Sequence, residues 1–413
     1  MKKAKMMKKY AALVADIGIN PAPKQDVYIV APIEAAPFVR YLVVELYNRK
    51  ARNVEVDWSD TAITKAGVIH SSPSRLSFVS DWLVDRERER INKSFAKIVI
   101  YGDDPCSLKS VNHDRLIRML KAQSVILGCL RQPYLDNEMA FCQVAVPTKS
   151  WAKRLFPKLS PTQAVNKLWD CIYQANYITE NGDAIEAWKK HEKEVIEKTD
   201  FLNNSGIRSL HFKDSKGTDF TLNLIKDNIW KSVDSKQSRF NDSPFIPCFP
   251  MEEIYTVPNR KSVNGVLVSS KTLSFYGTTI ENIRLEFKEG KVVNFSASKG
   301  QDILESIIKF DQRSGYVGKI GLVPNTSPLA KQKINYQISA LDKNASCSIV
   351  LGLALRCCVK DGDRMSNDDM LAAGMNVSSL YVNICFGEDD LQIDGYKEDG
   401  SVVEIFRQGK YCL

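Results

Sequence analysis

The first hundred residues alternate between short apolar runs and segments with helical spacing, which restricts the fold more than any other feature. Residues 26–30, 53–58 and 98–101 predict strands, two of them apolar enough to be buried. Residues 34–49 and 82–92 carry apolar side chains at helical spacing between these strands. Strands that alternate with helices form parallel sheets with helices on their faces. We therefore expect an N-terminal α/β domain.

Two helices are predicted after this region. Ser160 is a typical N-cap, with Pro161 in the first turn and Gln163 three residues after the cap. The second helix covers 183 to about 200 and is highly charged.

The pattern then changes to antiparallel strands. Polar and apolar residues alternate over 283–287, and Glu289-Gly290 predicts a turn into the partner strand at 292–297. The last part of the chain repeats this arrangement. For these 413 residues we therefore expect two domains, an α/β domain over 1–205 and a β-rich, α+β domain over 206–413.

Two charged segments could indicate binding surfaces. The alternating signs over 85–90 are more typical of a solvated helix face. The mixture of aromatic and basic residues over 151–158 fits a helix flank at least as well as an RNA contact. A net charge of +8 spread over the chain is weak evidence for a nucleic-acid partner, and we expect none.

Ten cysteines are scattered singly or as the pair Cys357 and Cys358, without a CxxC motif. This usage is typical of reduced core thiols in a cytoplasmic protein. The N-terminal lysines precede no signal-peptide apolar stretch, because Asp16 interrupts the following segment. No apolar run is long enough to span a membrane. We expect a cytoplasmic protein that does not bind membranes.

Short catalytic motifs are absent: there is no GxGxxG, Walker loop, GxSxG or HExxH. The chain has four isolated histidines and none after His211. The sequence after residue 211 therefore supplies no histidine ligand for a metal site.

Longer segments resemble the thermophilic metallo-aminopeptidase family, of the aminopeptidase S and aminopeptidase T type, over essentially the whole chain. The matching segments are KYAALVADIGIN, WAKRLFPKLSPTQAVNKLWD, FPMEEIYTVPNR, IRLEFKEGKVVNFSASKG, GKIGLVPNTSP, LDKNASCSIVLGLAL and LQIDGYKEDG. The resemblance implies an N-terminal α/β domain, a β-rich C-terminal domain and a homodimer with an enclosed cavity. Active members use two divalent metals, such as zinc or cobalt, to release N-terminal amino acids from peptides.

The metal ligands of the family are largely replaced. The second glutamate of the PxEExxT pattern is kept as Glu253, whereas a bridging glutamate and a second acidic position are both lysines here. Two histidines, a tyrosine and an aspartate are also replaced. The family-site positions, expected to line the cavity, are Glu253, Lys319, Lys343, Ser348, Leu355, Tyr381 and Asn383. We expect no metal cofactor, and the catalytic residues remain unknown.

Charge explains this expectation. The site carries one carboxylate and two ammonium groups before any metal enters. At an effective dielectric constant of 20, a lysine 4 Å from a divalent ion costs about 8 kcal/mol. We expect at least one lysine, with Lys319 favoured, to form a salt bridge with Glu253 in the space of a metal.

Other interpretations stay open. The alignment of the ligand segments could be displaced, or Glu252, Glu388, Asp389 and Asp390 could supply an oxygen-only metal site. The leading hypothesis is a pseudoenzyme that uses the retained cavity to bind a peptide, a small molecule or a partner. The alternatives are an active aminopeptidase with unusual ligands, or metal-independent chemistry by a lysine or by Cys347.

Overall fold

The structure, a computed structural model, describes residues 2–128, 130, 132–237, 239 and 242–413. The chain divides into two compact units. The first runs to Glu192 and adds Val233–Met251 and Tyr276–Thr278. The second comprises Lys193–Ser232, Glu252–Phe275 and Thr279–Leu413. The boundary after residue 205 stays a prediction.

Helices dominate the N-terminal part of the chain and strands the C-terminal part. The helices are α1 (Lys2–Leu13), α2 (Ala36–Asn48), α3 (Thr61–His70), α4 (Pro73–Leu76), α5 (Asp81–Asn92), α6 (His113–Gly128), α7 (Gln132–Leu135), α8 (Lys149–Leu155), α9 (Pro161–Ala175), α10 (Ala184–Asn204), α11 (Gln301–Ile308), α12 (Pro328–Lys331), α13 (Ser339–Asp342) and α14 (Asn367–Ala372). Single turns of π or 3-10 helix lie at Val14–Ile19, Ile33–Ala35, Arg356–Cys358 and Gly362–Arg364.

The strands are short, with two to seven residues each. They are β1 (Val27–Pro32), β2 (Val54–Ser59), β3 (Ala96–Tyr101), β4 (Phe141–Ala145), β5 (Ile207–Lys213), β6 (Asp219–Asn223), β7 (Ser235–Gln237), β8 (Ser243–Phe245), β9 (Ile254–Thr256), β10 (Asn264–Val268), β11 (Leu273–Phe275), β12 (Thr278–Ile280), β13 (Arg284–Lys288), β14 (Lys291–Ser296), β15 (Val317–Leu322), β16 (Cys347–Gly352), β17 (Tyr381–Phe386), β18 (Gln392–Lys397), β19 (Val402–Arg407) and β20 (Lys410–Tyr411).

The first unit contains the expected parallel sheet, in the order β2-β1-β3-β4. Strand β1 lies in its middle and is buried on both faces except at Val30, as in a sheet with helices on either side. The α/β prediction is confirmed. Helix α9 begins as predicted, because Ser160 and Gln163 form a reciprocal capping box.

The prediction of a solvated charged face over 85–90 is wrong for Arg90. This side chain of α5 is only 3% exposed and contacts three carboxylates at 2.7–2.9 Å, those of Glu55, Asp57 and Glu87. Strand β2 supplies two of these acids, a contact that the charge pattern along a single helix cannot reveal. The neighbouring Arg88 is exposed, as expected.

The second unit is rich in β structure, as predicted. Its larger sheet has the order β14-β13-β10-β6-β5-β18-β19-β20. The turn between β13 and β14 falls at Glu289 and Gly290, whose φ angles of 51° and 81° suit a tight hairpin of right-handed twist. A smaller antiparallel sheet has the order β17-β16-β15-β9 and is called the site sheet below.

The cysteines in the described part of the chain are free thiols, and most are buried. This confirms the expected core role for all of them but Cys357, which is half-buried, and Cys412, which is exposed. Cys129 lies outside the described residues. Within the ranges given above, none of the helices combines the length and apolar character that a membrane crossing requires.

Candidate functional site

Glu253 is the residue around which the site is built. It lies immediately before β9 and its side chain is fully buried. The side-chain oxygen of the buried Asn344 accepts the backbone N–H groups of Glu252 and Glu253 at 2.7 and 3.1 Å. These two bonds fix the backbone and aim the Glu253 carboxylate at the site sheet.

Strands β15 and β16 supply the surface that the carboxylate meets. The register pairs Gly321 with Ser348 and Lys319 with Val350, so these residues share one face of the site sheet. A Cβ atom at Gly321 would lie only 1.9 Å from Glu253 Oε1. Glycine is therefore required here so that the carboxylate can approach the strand.

Lys319 and Glu253 form a buried bidentate ion pair. Lys319 Nζ lies 2.7 Å from both Oε1 and Oε2 of Glu253, and the two side chains are 1% and 0% exposed. Ser348 Oγ donates a further hydrogen bond to Oε1 at 2.8 Å. The expected pairing of a family-site lysine with Glu253 is confirmed.

Lys343 is the second cation at this carboxylate. Its Nζ lies 3.6 Å from Glu253 Oε2, and its side chain is 15% exposed. Lys319 Nζ also lies 5.1 Å from the centre of the Tyr255 ring, a distance that allows a cation–π contact. One carboxylate thus faces two ammonium groups.

The pKa of the Glu253 carboxyl lies below its ordinary value. Burial alone would raise this pKa, but the charges of Lys319 and Lys343 and the hydrogen bonds from Lys319 and Ser348 outweigh burial. The carboxylate therefore stays ionised at neutral pH and remains available as the partner of both ammonium groups.

The three other family-site positions lie on or near the same face. Asn383 of β17 pairs with Val350, which places it on the face of Lys319, and its Oδ1 is buried without a hydrogen-bond partner. Tyr381 begins β17 and is 36% exposed. Leu355 is a buried apolar side chain. Whether all seven positions line a cavity stays a prediction.

This arrangement does not fit a pair of divalent metals. Both oxygens of Glu253 are occupied by an ammonium group, and a hydroxyl such as that of Ser348 is a weaker metal ligand than an imidazole. Within the described residues, no group of three or more histidine, cysteine, aspartate or glutamate side chains is arranged to hold a metal ion. The ammonium group of Lys319 already occupies the carboxylate oxygens that a metal ion would need as ligands.

The acidic segment before β18 offers no support for an oxygen-only site. Glu388 forms an ion pair with Lys216 at 2.9 Å, and Asp389 forms one with Lys333 at 2.7 Å. Asp390 accepts a backbone hydrogen bond. These carboxylates therefore have protein partners of their own.

Cys347 has the properties of a core thiol. Its side chain is buried and exchanges hydrogen bonds with the backbone of Val323. Burial raises the pKa of this thiol to about 12, so the thiolate is rare at neutral pH. Nothing in its surroundings favours a nucleophilic role.

Asp342 is a further buried acid, and the sequence interpretation missed it. Its Oδ1 accepts the backbone N–H of Tyr336 at 2.9 Å and lies 3.8 Å from Lys271 Nζ. Burial raises its pKa from 3.8 to about 6, although Lys271 and the backbone hydrogen bonds act in the opposite direction. The pKa of Asp342 therefore lies well above that of an exposed aspartate.

We expect Asp342→Asn to remove one contribution to the dependence of stability on pH between pH 3.8 and 6. In this window the Asp342 carboxyl binds more protons in the folded protein than in the unfolded chain, so its contribution to stability falls as the pH rises, by about 3 kcal/mol in total. Urea unfolding at steps of pH measures this slope, with the exposed Asp363→Asn as the control. A slope that is identical in wild type and Asp342→Asn would contradict the prediction.

Asn344, Gly321 and Tyr255 are further site residues that sequence reasoning missed. All three lie in segments that carry the family resemblance. Their roles depend on contacts across strands, such as the Gly321–Glu253 approach, for which the local sequence gives no signal.

Comparisons with known proteins agree with this fold. The family described as thermophilic metalloprotease (M29) matches residues 3–411. Aminopeptidase AmpS of Bacillus subtilis is 30% identical over 404 residues, 98% of each chain. Aminopeptidase 2 of Geobacillus stearothermophilus is 31% identical over 412 residues, 99% of this chain and 98% of the relative. The solved structure of wild-type AmpT from Thermus thermophilus superposes with a TM-score of 0.90 at 27% identity and covers both chains completely.

Proposed function

The chain belongs to the thermophilic metalloprotease (M29) family, and we propose that it is a member without two-metal peptide hydrolysis. In this proposal the ammonium group of Lys319 takes the place of a metal at Glu253. The retained site serves to bind a ligand or a partner and not to cleave peptides.

The buried Lys319–Glu253 pair carries this proposal. A hydrolytic metal site needs deprotonated ligands that hold the ion and leave a position for water. Here both Glu253 oxygens accept from Lys319 at 2.7 Å. A divalent ion at the same place would have to displace this ammonium group and would be repelled by Lys343.

An assay of peptide hydrolysis tests the proposal. We expect no cleavage of leucine p-nitroanilide above background, with or without added cobalt, zinc or manganese, because the ligands that hold a metal-bound water are missing. Aminopeptidase AmpS of Bacillus subtilis, assayed in parallel, is the positive control. Leucine release by this chain that increases with cobalt would overturn the proposal.

We also propose a homodimer and a cytoplasmic location. The family match extends to residue 411 and so includes the C-terminal part of the chain, with which the resemblance associates dimer formation. Free thiols in the described part of the chain support a reducing compartment. Sedimentation as a monomer at micromolar concentration would reject the homodimer.

A further inference from the structure

We propose that the side chains around Glu253 bind a small carboxylate anion. These side chains are Glu253, Lys319, Lys343, Ser348 and Tyr381, called the Glu253 cluster below. The inference rests on the proposed function, because it requires that the ammonium groups and not metal ions face Glu253. It reverses the ligand charge expected of an aminopeptidase, whose substrates present an N-terminal ammonium group.

The charges of the cluster do not balance. One carboxylate faces two ammonium groups, which leaves an excess of one positive charge. Lys319 uses both oxygens of Glu253 at 2.7 Å. Lys343 Nζ stands at 3.6 Å from the nearer oxygen, beyond normal hydrogen-bond distance. Its N–H donors are therefore not satisfied by Glu253.

In the part of the chain that the structure describes, Glu253 is the only carboxylate within ion-pair distance of Lys343. Its side chain is only 15% exposed, so water compensates the charge incompletely. A cation held in this way gains from an anion, because charge-assisted hydrogen bonds are stronger than neutral ones.

Tyr381 provides a second donor on the face of the site sheet that carries Lys319, because it lies two residues before Asn383 on the same strand. Burial of its hydroxyl raises the pKa of Tyr381. The charge of Lys343 lowers this pKa and the charge of Glu253 raises it, each by less than burial does. The phenol is therefore protonated at neutral pH and can donate a hydrogen bond. Taken as a whole residue, Tyr381 is also the most exposed member of the cluster, at 36%.

The single excess positive charge of the cluster favours a monoanion as the ligand. A carboxylate neutralises the one excess charge, whereas a dianion such as phosphate would leave net negative charge beside the buried Glu253. Lys343 and Tyr381 together offer an ammonium group and a hydroxyl group, which suit the two oxygens of a carboxylate.

Calorimetric titration with two matched ligands tests the inference. N-acetylalanine carries a carboxylate and no ammonium group, whereas alaninamide carries an ammonium group and no carboxylate. We expect saturable binding of N-acetylalanine and none of alaninamide. Acetate distinguishes a site for any small carboxylate from a site for the C-terminal residue of a peptide. Equal affinity for acetate and N-acetylalanine indicates the first, and tighter binding of N-acetylalanine indicates the second.

Lys343→Met is expected to weaken N-acetylalanine binding by at least about tenfold, because it removes the charge that the ligand neutralises. Lys299→Met is the matched control: Lys299 belongs to an exposed pair with Glu281 at 2.8 Å, and its loss should leave binding unchanged. If Lys343→Met does not fold, Tyr381→Phe serves as the second variant and should weaken binding at least about threefold.

Unchanged binding in folded Lys343→Met, or in Tyr381→Phe if Lys343→Met does not fold, would overturn the inference. A failure of N-acetylalanine to bind would also overturn the inference. If the protein at the same time fails to hydrolyse leucine p-nitroanilide, the proposed function is unaffected by that result. Release of ammonia from alaninamide would instead overturn the proposed function.

Discussion

Glu253→Gln is expected to lower the free energy of unfolding by about 3–5 kcal/mol, the range found when one partner of a buried ion pair is removed. The variant keeps the shape of the side chain but leaves the ammonium groups of Lys319 and Lys343 facing a neutral amide. Lys319 is only 1% exposed and cannot regain water without local unfolding. Urea unfolding at pH 7 measures the difference from wild type.

Glu281→Gln is the matched control, because Glu281 pairs with Lys299 at 2.8 Å on the surface. Exposed pairs contribute at most about 1 kcal/mol. The difference caused by Glu253→Gln should also depend on pH. Since the pKa of Glu253 is below 4.5 in the folded protein, its contribution is present above pH 4.5 and is lost as the pH falls through the folded pKa. A loss no larger than that of the control would show that the pair does not stabilise the fold.

Lys319→Glu should produce the second large effect. It places two carboxylates together in a buried site where Lys343 is the remaining ammonium group of the Glu253 cluster, so we expect a loss of at least about 3 kcal/mol at neutral pH. Hydrolysis should not appear, because the chain has no histidine after His211 to complete a set of metal ligands around the new carboxylate. Unfolding and cobalt-supplemented peptidase assays on the same preparation measure both outcomes.

Lys319→Met separates the loss of the cation from the gain of a second acid. Glu253 retains Lys343 and the hydrogen bond from Ser348, so this variant should be more stable than Lys319→Glu. In Lys319→Glu the defect should shrink at acid pH, where one carboxyl can keep its proton. Recovered peptidase activity in Lys319→Glu would reject the proposed role of the lysine.

Local signals in the sequence were sufficient for many elements of the fold. The capping box of Ser160 and Gln163 and the turn at Glu289-Gly290 depend on residues a few positions apart, and both lie where they were predicted. Arg90 was misjudged because its carboxylate partners include Glu55 and Asp57, on a strand more than thirty residues earlier.

The candidate site also combines features that the sequence predicts with features that it does not. The family resemblance places Glu253 and Lys319 in one site, and their opposite charges predict the ion pair that the structure contains. The residues that make the pairing possible were not foreseen. Gly321 matters through a 1.9 Å approach to Glu253, and Asn344 matters through two backbone hydrogen bonds. Both roles depend on contacts between segments that are distant in sequence, which only the folded chain brings together.

The metal content of the protein tests the central claim most directly. The measurement is mass spectrometry of the metals bound per chain, after purification without chelators and with cobalt, zinc and manganese offered in the buffer. We expect well under one ion per chain, because the Lys319 ammonium group occupies both oxygens of Glu253. Two tightly bound ions per chain would contradict the replacement of the metals by the ion pair.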